Sequence, residues 1–224
     1  MATVRVLRVF TDANAGAGNP LGVVQGAGAI ARSQRQAIAA ELGFSETVFV
    51  DRNGALGIFT PTNELAFAGH PLVGAAWLLR LPELRPPAGA VAARAAGDSA
   101  WIVGRPEWSP PFSRRQLQTP AEVDQFAPPR SGDLQVWAWQ DQAKGTVRAR
   151  VFAPDLGVPE DPATGSAAMG LCAALQRPLT IEQGPGCVIE VRPLPSGLVE
   201  LGGRVADDGE RVLQDRWHTI RPVT

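Results

Sequence analysis

The stretch FTPTNELAFAGHPLVGAAWLL, Phe59 to Leu79, is restated in altered form as VFAPDLGVPEDPATGSAAMGLCAAL, Val151 to Leu175. Each copy carries Phe-x-Pro near its start, then Gly, a polar residue, three spacers, a second Gly and an apolar run ending in Leu. Gly69, His70, Gly74 and Leu79 correspond at one constant offset to Gly165, Ser166, Gly170 and Leu175. A strand-loop-helix unit used twice predicts two pseudo-symmetric halves with a cleft between them. A helix start presents free N–H groups and the positive end of its dipole. Two such starts facing one cleft make a site for a carboxylate. The copies differ in their acids: Glu46 belongs to the first half and Asp161 to the second, with no matching acid at the repeat-related positions.

The 224 residues suffice for one large domain or two smaller ones. An apolar share of 45% and a charged share of 19% fit a globular protein with a sizeable core. The 21 basic and 22 acidic side chains leave a net charge of -1 without a basic cluster, which argues against a nucleic-acid surface. No apolar run approaches the ~20 residues of a membrane span, so no membrane partner is expected. MATVRVLRVF alternates like a strand and lacks the charged and apolar regions of a signal peptide; a cytoplasmic location is the expectation. Cys172 and Cys187 are too few for a disulfide framework, and with His70 and His218 they show no metal-ligand spacing. Tyr is absent, so no phenol serves as acid or base.

Val4 to Phe10 alternates as a strand, Thr11 to Pro20 reads as a Gly/Asn-rich loop, and Leu21 to Val24 as a short second strand. Ser33-x-x-Gln36 reads as a capping box, with Gly43 as the helix stop and Ile38, Ala39 and Leu42 as the apolar face. Thr47 to Val50 and Leu56 to Thr60 read as a hairpin around Asp51-Arg52-Asn53-Gly54. Pro71 is placed at the first helical position, which makes His70 the N-cap, and the helix is apolar on most sides and therefore buried. Leu81 to Ala96 reads as a Pro/Ala linker. Strands are expected at Ser99–Val103, Leu134–Trp139, Thr146–Phe152, Val188–Val191 and Leu198–Leu201. A short helix is expected within Thr119–Phe126, a second buried helix after Ser166, and a turn at Gly184–Gly186. The tail after Arg204 is polar, with Trp217 as its one anchor. The pattern lacks a Rossmann rhythm and the Gly-x-Gly-x-x-Gly fingerprint. It reads as α+β with antiparallel sheets.

Glu46 opens an apolar strand, where partial desolvation raises a carboxyl pKa toward neutrality and makes a proton shuttle; a solvent-facing strand residue is the plainer reading. His70 and Ser166 serve either as caps of their own helices or as site residues, their matched positions favouring the site. Asp161 is either a turn residue before Pro162 or a site acid. Cys172 lies in an apolar helix and reads as core.

Gly18-Asn19-Pro20, Ser45-Glu46-Thr47-Val48-Phe49, Gly69-His70-Pro71, Glu160-Asp161-Pro162-Ala163-Thr164-Gly165-Ser166-Ala167 and Gln183-Gly184 occur in that order. The set resembles the phenazine-biosynthesis PhzF-like family, relatives of diaminopimelate epimerase. The resemblance implies two pseudo-symmetric domains, each a curled antiparallel sheet or barrel around a central helix, here residues 1–95 and a shortened 96–224 whose terminal segment packs back on the first. It implies a cofactor-free isomerase acting on a small carboxylated substrate, as in the family's trans-2,3-dihydro-3-hydroxyanthranilate isomerase, and a homodimer. By motif position Glu46 becomes the general acid/base. His70, Asp161 and Ser166 orient substrate and assist proton transfer, and Gly69, Gly165, Thr164 and Asn19 contact it. Neither cysteine falls at a site position, which opposes the two-thiol chemistry of the epimerases. The chain departs from the family in a deficit between Trp108 and Val147, and in Gly186-Cys187-Val188 where an Arg-Pro is usual.

Two other functions compete. Ser166, His70 and Asp161 are the residue types of a hydrolytic triad, although Gly165-Ser166-Ala167-Ala168 lacks the Gly-x-Ser-x-Gly elbow. A non-catalytic binding protein for small carboxylates would use the same cradle without turnover.

Overall fold

In the computed structural model, which describes residues 3–51 and 54–212, the helices expected after the two Gly-polar pairs are both present and both buried. They are α2 (Gly69–Leu79) and α4 (Gly165–Leu175), of equal length. Both end on a left-handed residue, Arg80 at φ 55° and Gln176 at φ 52°, so the repeat extends to the C-cap. The first eight residues of each helix are buried. Sequestering side chains such as Leu72, Val73, Met169 and Leu171 contributes about 1.5–3 kcal/mol apiece.

Strands wrap both helices. In chain order they are β1 (Thr3–Thr11), β2 (Asn19–Gln25), β3 (Glu46–Val50), β4 (Leu56–Phe59), β5 (Glu64–Leu65), β6 (Glu83–Leu84), β7 (Val91–Ala96) and β8 (Ser99–Gly104). There follow β9 (Ser113–Gln116), β10 (Leu134–Asp141), β11 (Thr146–Ala153), β12 (Val158–Asp161), β13 (Leu179–Gln183), β14 (Cys187–Pro193) and β15 (Val199–Val212). Two further helices are α1 (Arg32–Leu42) and α3 (Pro120–Asp124). One path of strands runs β5-β4-β3-β2-β1-β15-β14-β13-β11-β10-β9, with β8 branching onto β15 and β7.

The fold is α+β, but the sheet is mixed where antiparallel sheets were expected. β2 with β3, β9 with β10 and β11 with β13 pair in parallel. A parallel pair needs a long crossover, and each of these has a helix in its connection: α1, α3 and α4 in turn. Alternation within a strand carries no record of its partner's direction.

Other differences are local. α1 is preceded by Ala31, not capped by Ser33; Gln34 Oε1 accepts from the Ala31 N–H at 3.1 Å, while Gln36 donates to the Thr60 carbonyl at 2.9 Å. Gly43, at φ 66°, ends the helix as expected, and Ile38 and Ala39 bury against Val4, Val24, Phe49 and Phe59. Both central helices begin earlier than read: Ala68 and Thr164 are the N-caps, and His70 and Ser166 lie inside the first turn. The Leu81–Ala96 linker contains β6 and β7, whose alternation is written in alanines and is weak to read. The loop before β2 ends at Asn19, which is already strand. β3 and β4 do pair antiparallel, although Arg52 and Asn53 of their turn lie outside the described residues. Within the polar segment after Arg204, the residues up to Val212 are the outer part of β15, paired to β1; Trp217 lies outside the described residues.

Candidate active site

The starts of α2 and α4 touch. A Cβ on Gly69 would sit 2.6 Å from Leu201 Cδ2 and 2.9 Å from Gly165 Cα; one on Gly165 would sit 2.8 Å from the same Leu201 atom and 3.1 Å from the His70 nitrogen. Only glycine at both positions lets the two positive helix ends converge, with Leu201 of β15 wedged beneath them.

The first residue of β3 brings Glu46 to this junction, its Oε2 3.5 Å from His70 Nδ1. That is longer than a good hydrogen bond. Burial raises the Glu46 carboxyl to about 7, opposed in part by a hydrogen bond from Ser45. Burial likewise lowers His70 to about 4, against the raising effects of the Asp161 charge and the Pro20 backbone. His70 is therefore neutral at physiological pH. Glu46 Oε2 and His70 Nε2 are both buried without a hydrogen-bond partner, and such groups ordinarily find one in a folded protein. A bound substrate can supply it.

Asp161, the last residue of β12, lies close enough for its charge to be felt at His70 and for Glu46 to act on it. Its pKa is raised by burial first and then by the Glu46 charge; His70, the Thr164 hydroxyl and the Ala163 N–H pull the other way. Both carboxylate oxygens are held. The Asn19 amide donates to Oδ1 at 2.8 Å and to the Ala163 carbonyl at 3.0 Å, and the Thr164 hydroxyl donates to Oδ2 at 2.7 Å. The Ser45 hydroxyl also lies 3.2 Å from Asn19 Oδ1, and its single proton serves either that oxygen or Glu46, which links Glu46 to the group around Asp161.

Gln183 completes this set and was given no role from the sequence. Fully buried, its amide donates to the Asp161 carbonyl at 2.7 Å and to Thr164 Oγ1 at 2.9 Å. With that lone pair occupied, the Thr164 proton is directed at the Asp161 carboxylate. Gly184, at φ 56°, would place a Cβ 2.6 Å from the Pro162 carbonyl, so the glycine allows the end of β13 to close on this loop. The Gln183-Gly184 pair was the available signal; its meaning needed the tertiary contact.

Glu46, His70 and Asp161 thus gather at one point, beside Gly69 and Gly165. Thr164 and Asn19 direct their polar groups onto Asp161 and are nearly or fully buried. Ser166 stands in the first turn of α4, its hydroxyl without a hydrogen bond to His70 or Asp161 among the described residues. No Ser-His-Asp relay is assembled. Cys172 and Cys187 are free and buried, and burial raises both thiols to about 11, which keeps them protonated. Among the described residues no group of three or more His, Cys, Asp or Glu is arranged to hold a metal ion, and no helix is long and apolar enough to cross a membrane.

A family model described as phenazine biosynthesis-like protein, PhzC-PhzF, matches residues 7–96 and 125–191, more than half of the chain. The chain belongs to the PhzC-PhzF family. Among solved structures it is similar to a PhzC/PhzF protein of Clostridium difficile (TM-score 0.78, 18% identity, 96% of this chain and 100% of that one). It is also similar to a PhzF-family protein of Bacillus anthracis (TM-score 0.77, 19% identity, 95% and 99%). These likenesses establish the diaminopimelate epimerase-like fold. Among curated relatives, the trans-2,3-dihydro-3-hydroxyanthranilate isomerase of Pseudomonas chlororaphis is 49% identical over 76 residues, 30% of this chain and 27% of that protein. An uncharacterized isomerase of Pasteurella multocida is 43% identical over 88 residues, 35% and 30%. The match to these relatives therefore spans less than a third of their length. One from Deinococcus radiodurans is 29% identical across 88% of this chain and 90% of its own.

Proposed function

We propose that this PhzF-family chain is a cofactor-independent isomerase that moves a carbon-bound proton on a small, unsaturated, carboxylated substrate. The observation that carries this reading is Glu46: a buried carboxyl poised near neutrality, with an unpartnered oxygen, beside a neutral histidine. The paired starts of α2 and α4 hold the substrate carboxylate through backbone N–H groups. Glu46, ionised, takes a proton from carbon; the electron pair of the broken C–H bond moves into the substrate's own unsaturation. The protonated Glu46 then returns the proton to another carbon or face. His70, held by its hydrogen bond to the Pro20 backbone, hydrogen-bonds the substrate through its unpartnered Nε2 as charge shifts, and Asp161, fixed by Asn19, Thr164 and Gln183, sets the charge in its vicinity. A carboxyl poised near 7 populates both its protonated and ionised forms at neutral pH, so the same group can take the proton and return it. The curated relatives named trans-2,3-dihydro-3-hydroxyanthranilate isomerases support that substrate class. A homodimer and a cytoplasmic setting belong to the same proposal.

The test is incubation in heavy water with a panel of unsaturated small acids that includes trans-2,3-dihydro-3-hydroxyanthranilate. A substrate acquires deuterium at carbon, and Glu46→Gln slows this at least ~100-fold, the scale of a lost general acid/base. Full turnover by Glu46→Gln sinks the assignment. Ligand binding without exchange points instead to a non-catalytic carboxylate-binding protein.

A further inference from the structure

The repeat-related glycines Gly74 and Gly170 face different fillers. The space that a Cβ on Gly74 would take is occupied by Leu21 Cδ2 and flanked by Val9, an ordinary apolar contact. The same space at Gly170 is occupied by the guanidinium of Arg114, whose Nη2 lies where the Cβ would be. Arg114 stands on edge strand β9, outside both segments matched by the family model. The residue is exposed to solvent, and its guanidinium, partly covered by α4, makes no ion pair or hydrogen bond with any described residue; that partial desolvation lowers its pKa with no anion opposing it.

A second polar group lies beside it. Arg114 is the in-register partner of Gln135 in the parallel β9–β10 pair, so both side chains leave the sheet on one face. That face is the one toward α4. The neighbours Leu134 and Val136 point the other way, into the cluster with Val123 and Phe152, and Arg115 likewise lies over Phe126. Gln135 is fully buried, and neither its amide nitrogen nor its oxygen has a hydrogen-bond partner. Buried side-chain amides ordinarily find partners in a folded protein. Ser166 and Gly170 are four residues apart on α4 and share a helix face, roughly 6 Å along the axis. A hydroxyl, a buried amide and a cation, none with a hydrogen-bond partner among the described residues, thus lie along the face of α4 that begins at Ser166.

We propose that Arg114 and Gln135 form a substrate-selecting subsite beside Gly170 that binds a second carboxylate, at the end of the substrate away from the reacting carbon. The guanidinium supplies a charge-assisted fork, and the Gln135 amide donates to the same anion. This rests on the isomerase reading for the word substrate, but not for the binding itself. Calorimetric titration with glutarate and valerate, which share a five-carbon chain and differ in one carboxylate, separates the two. The native protein binds glutarate at least about tenfold tighter than valerate, the scale of one charge-assisted hydrogen bond. Arg114→Ala and Gly170→Ala, the second displacing the guanidinium while leaving it in the chain, each erase that preference and leave valerate binding unchanged. Glutarate binding no tighter than valerate in the native protein overturns the subsite, as does a preference that survives in well-folded Arg114→Ala. If deuterium exchange is absent while the preference behaves as described, the isomerase reading fails and the subsite stands.

Discussion

Glu46 and His70 are buried side by side, and burial moves them in opposite directions on the pH scale. Glu46 is raised from 4.5 to about 7, so the folded state holds its proton where the unfolded chain has lost it. Stability therefore falls as pH climbs from about 4.5 to about 7, and above that the loss is complete and no longer changes with pH. His70 is lowered from 6.5 to about 4, so the unfolded chain binds the proton first. Its contribution is present above pH 6.5 and is lost as pH falls toward 4. Between those limits the two trends offset each other, and the native protein shows a shallow profile. Glu46→Gln removes one of them. The stability of Glu46→Gln relative to native protein should rise between pH 4 and pH 8 by up to about 3 kcal/mol. Asp161 adds in the same direction, because part of its raised pKa comes from Glu46. Urea denaturation of both proteins at the two pH values measures it, and a difference that does not change with pH contradicts the buried, raised carboxyl.

The junction of α2 and α4 depends on two missing methyl groups. Gly69→Ala places a Cβ against Leu201 Cδ2 and, at 2.9 Å, against the Gly165 backbone, which cannot yield as a side chain can. Overpacking of this kind costs about 1–3 kcal/mol, and because it parts the helix starts it should also weaken carboxylate binding. Leu201→Ala alone costs about 2–5 kcal/mol through its cavity. Combined, the two should cost less than their sum, since the new methyl enters the vacated space. A double-mutant cycle on thermal or urea stability gives the coupling; strict additivity would mean that Leu201 does not wedge the junction. These glycines were legible as a repeat because a repeat is a local pattern. The helix starts were read two residues late because Pro71 was placed at the first position, whereas a proline anywhere in the first turn forfeits only an N–H that has no intrahelical partner. Gln183 shows in the sequence only as half of the Gln183-Gly184 pair, and Arg114 and Gln135 carry no local signal: what matters in each is a partner gained or lacking across the fold. Glu46, His70 and Asp161 were placed by motif, but the buried pairing that perturbs them comes from three separate elements.

At the scale of the whole molecule, β15 is the element that the sequence concealed most completely. Its outer part, ADDGERV after Val205, shows no apolar alternation and reads as a polar tail, which only the family resemblance places back on the first half. It is a strand because β1 lies beside it: Arg204 to Val212 pair with Thr3 to Thr11, and Arg5 and Arg8 meet Asp207 and Asp208 across the ladder. The inner part pairs with β14 on one side and β8 on the other, and carries Leu201 to the helix junction. The two copies of the repeat thus share one strand that belongs to both, and the strands that carry Glu46 and Asp161 lie on either side of it in the sheet. Opening either copy alone would strip β15 of a ladder and unseat Leu201. The molecule should therefore unfold as one unit. Native-state hydrogen exchange tests this through the slowest amides of β2, in the first copy, and β13, in the second. Their opening free energies should agree within about 1 kcal/mol and match the global value from denaturation. A β13 that opens several kcal/mol more easily than β2 would mean that the second copy unfolds on its own, and that the site is assembled only while two separately stable halves happen to be docked.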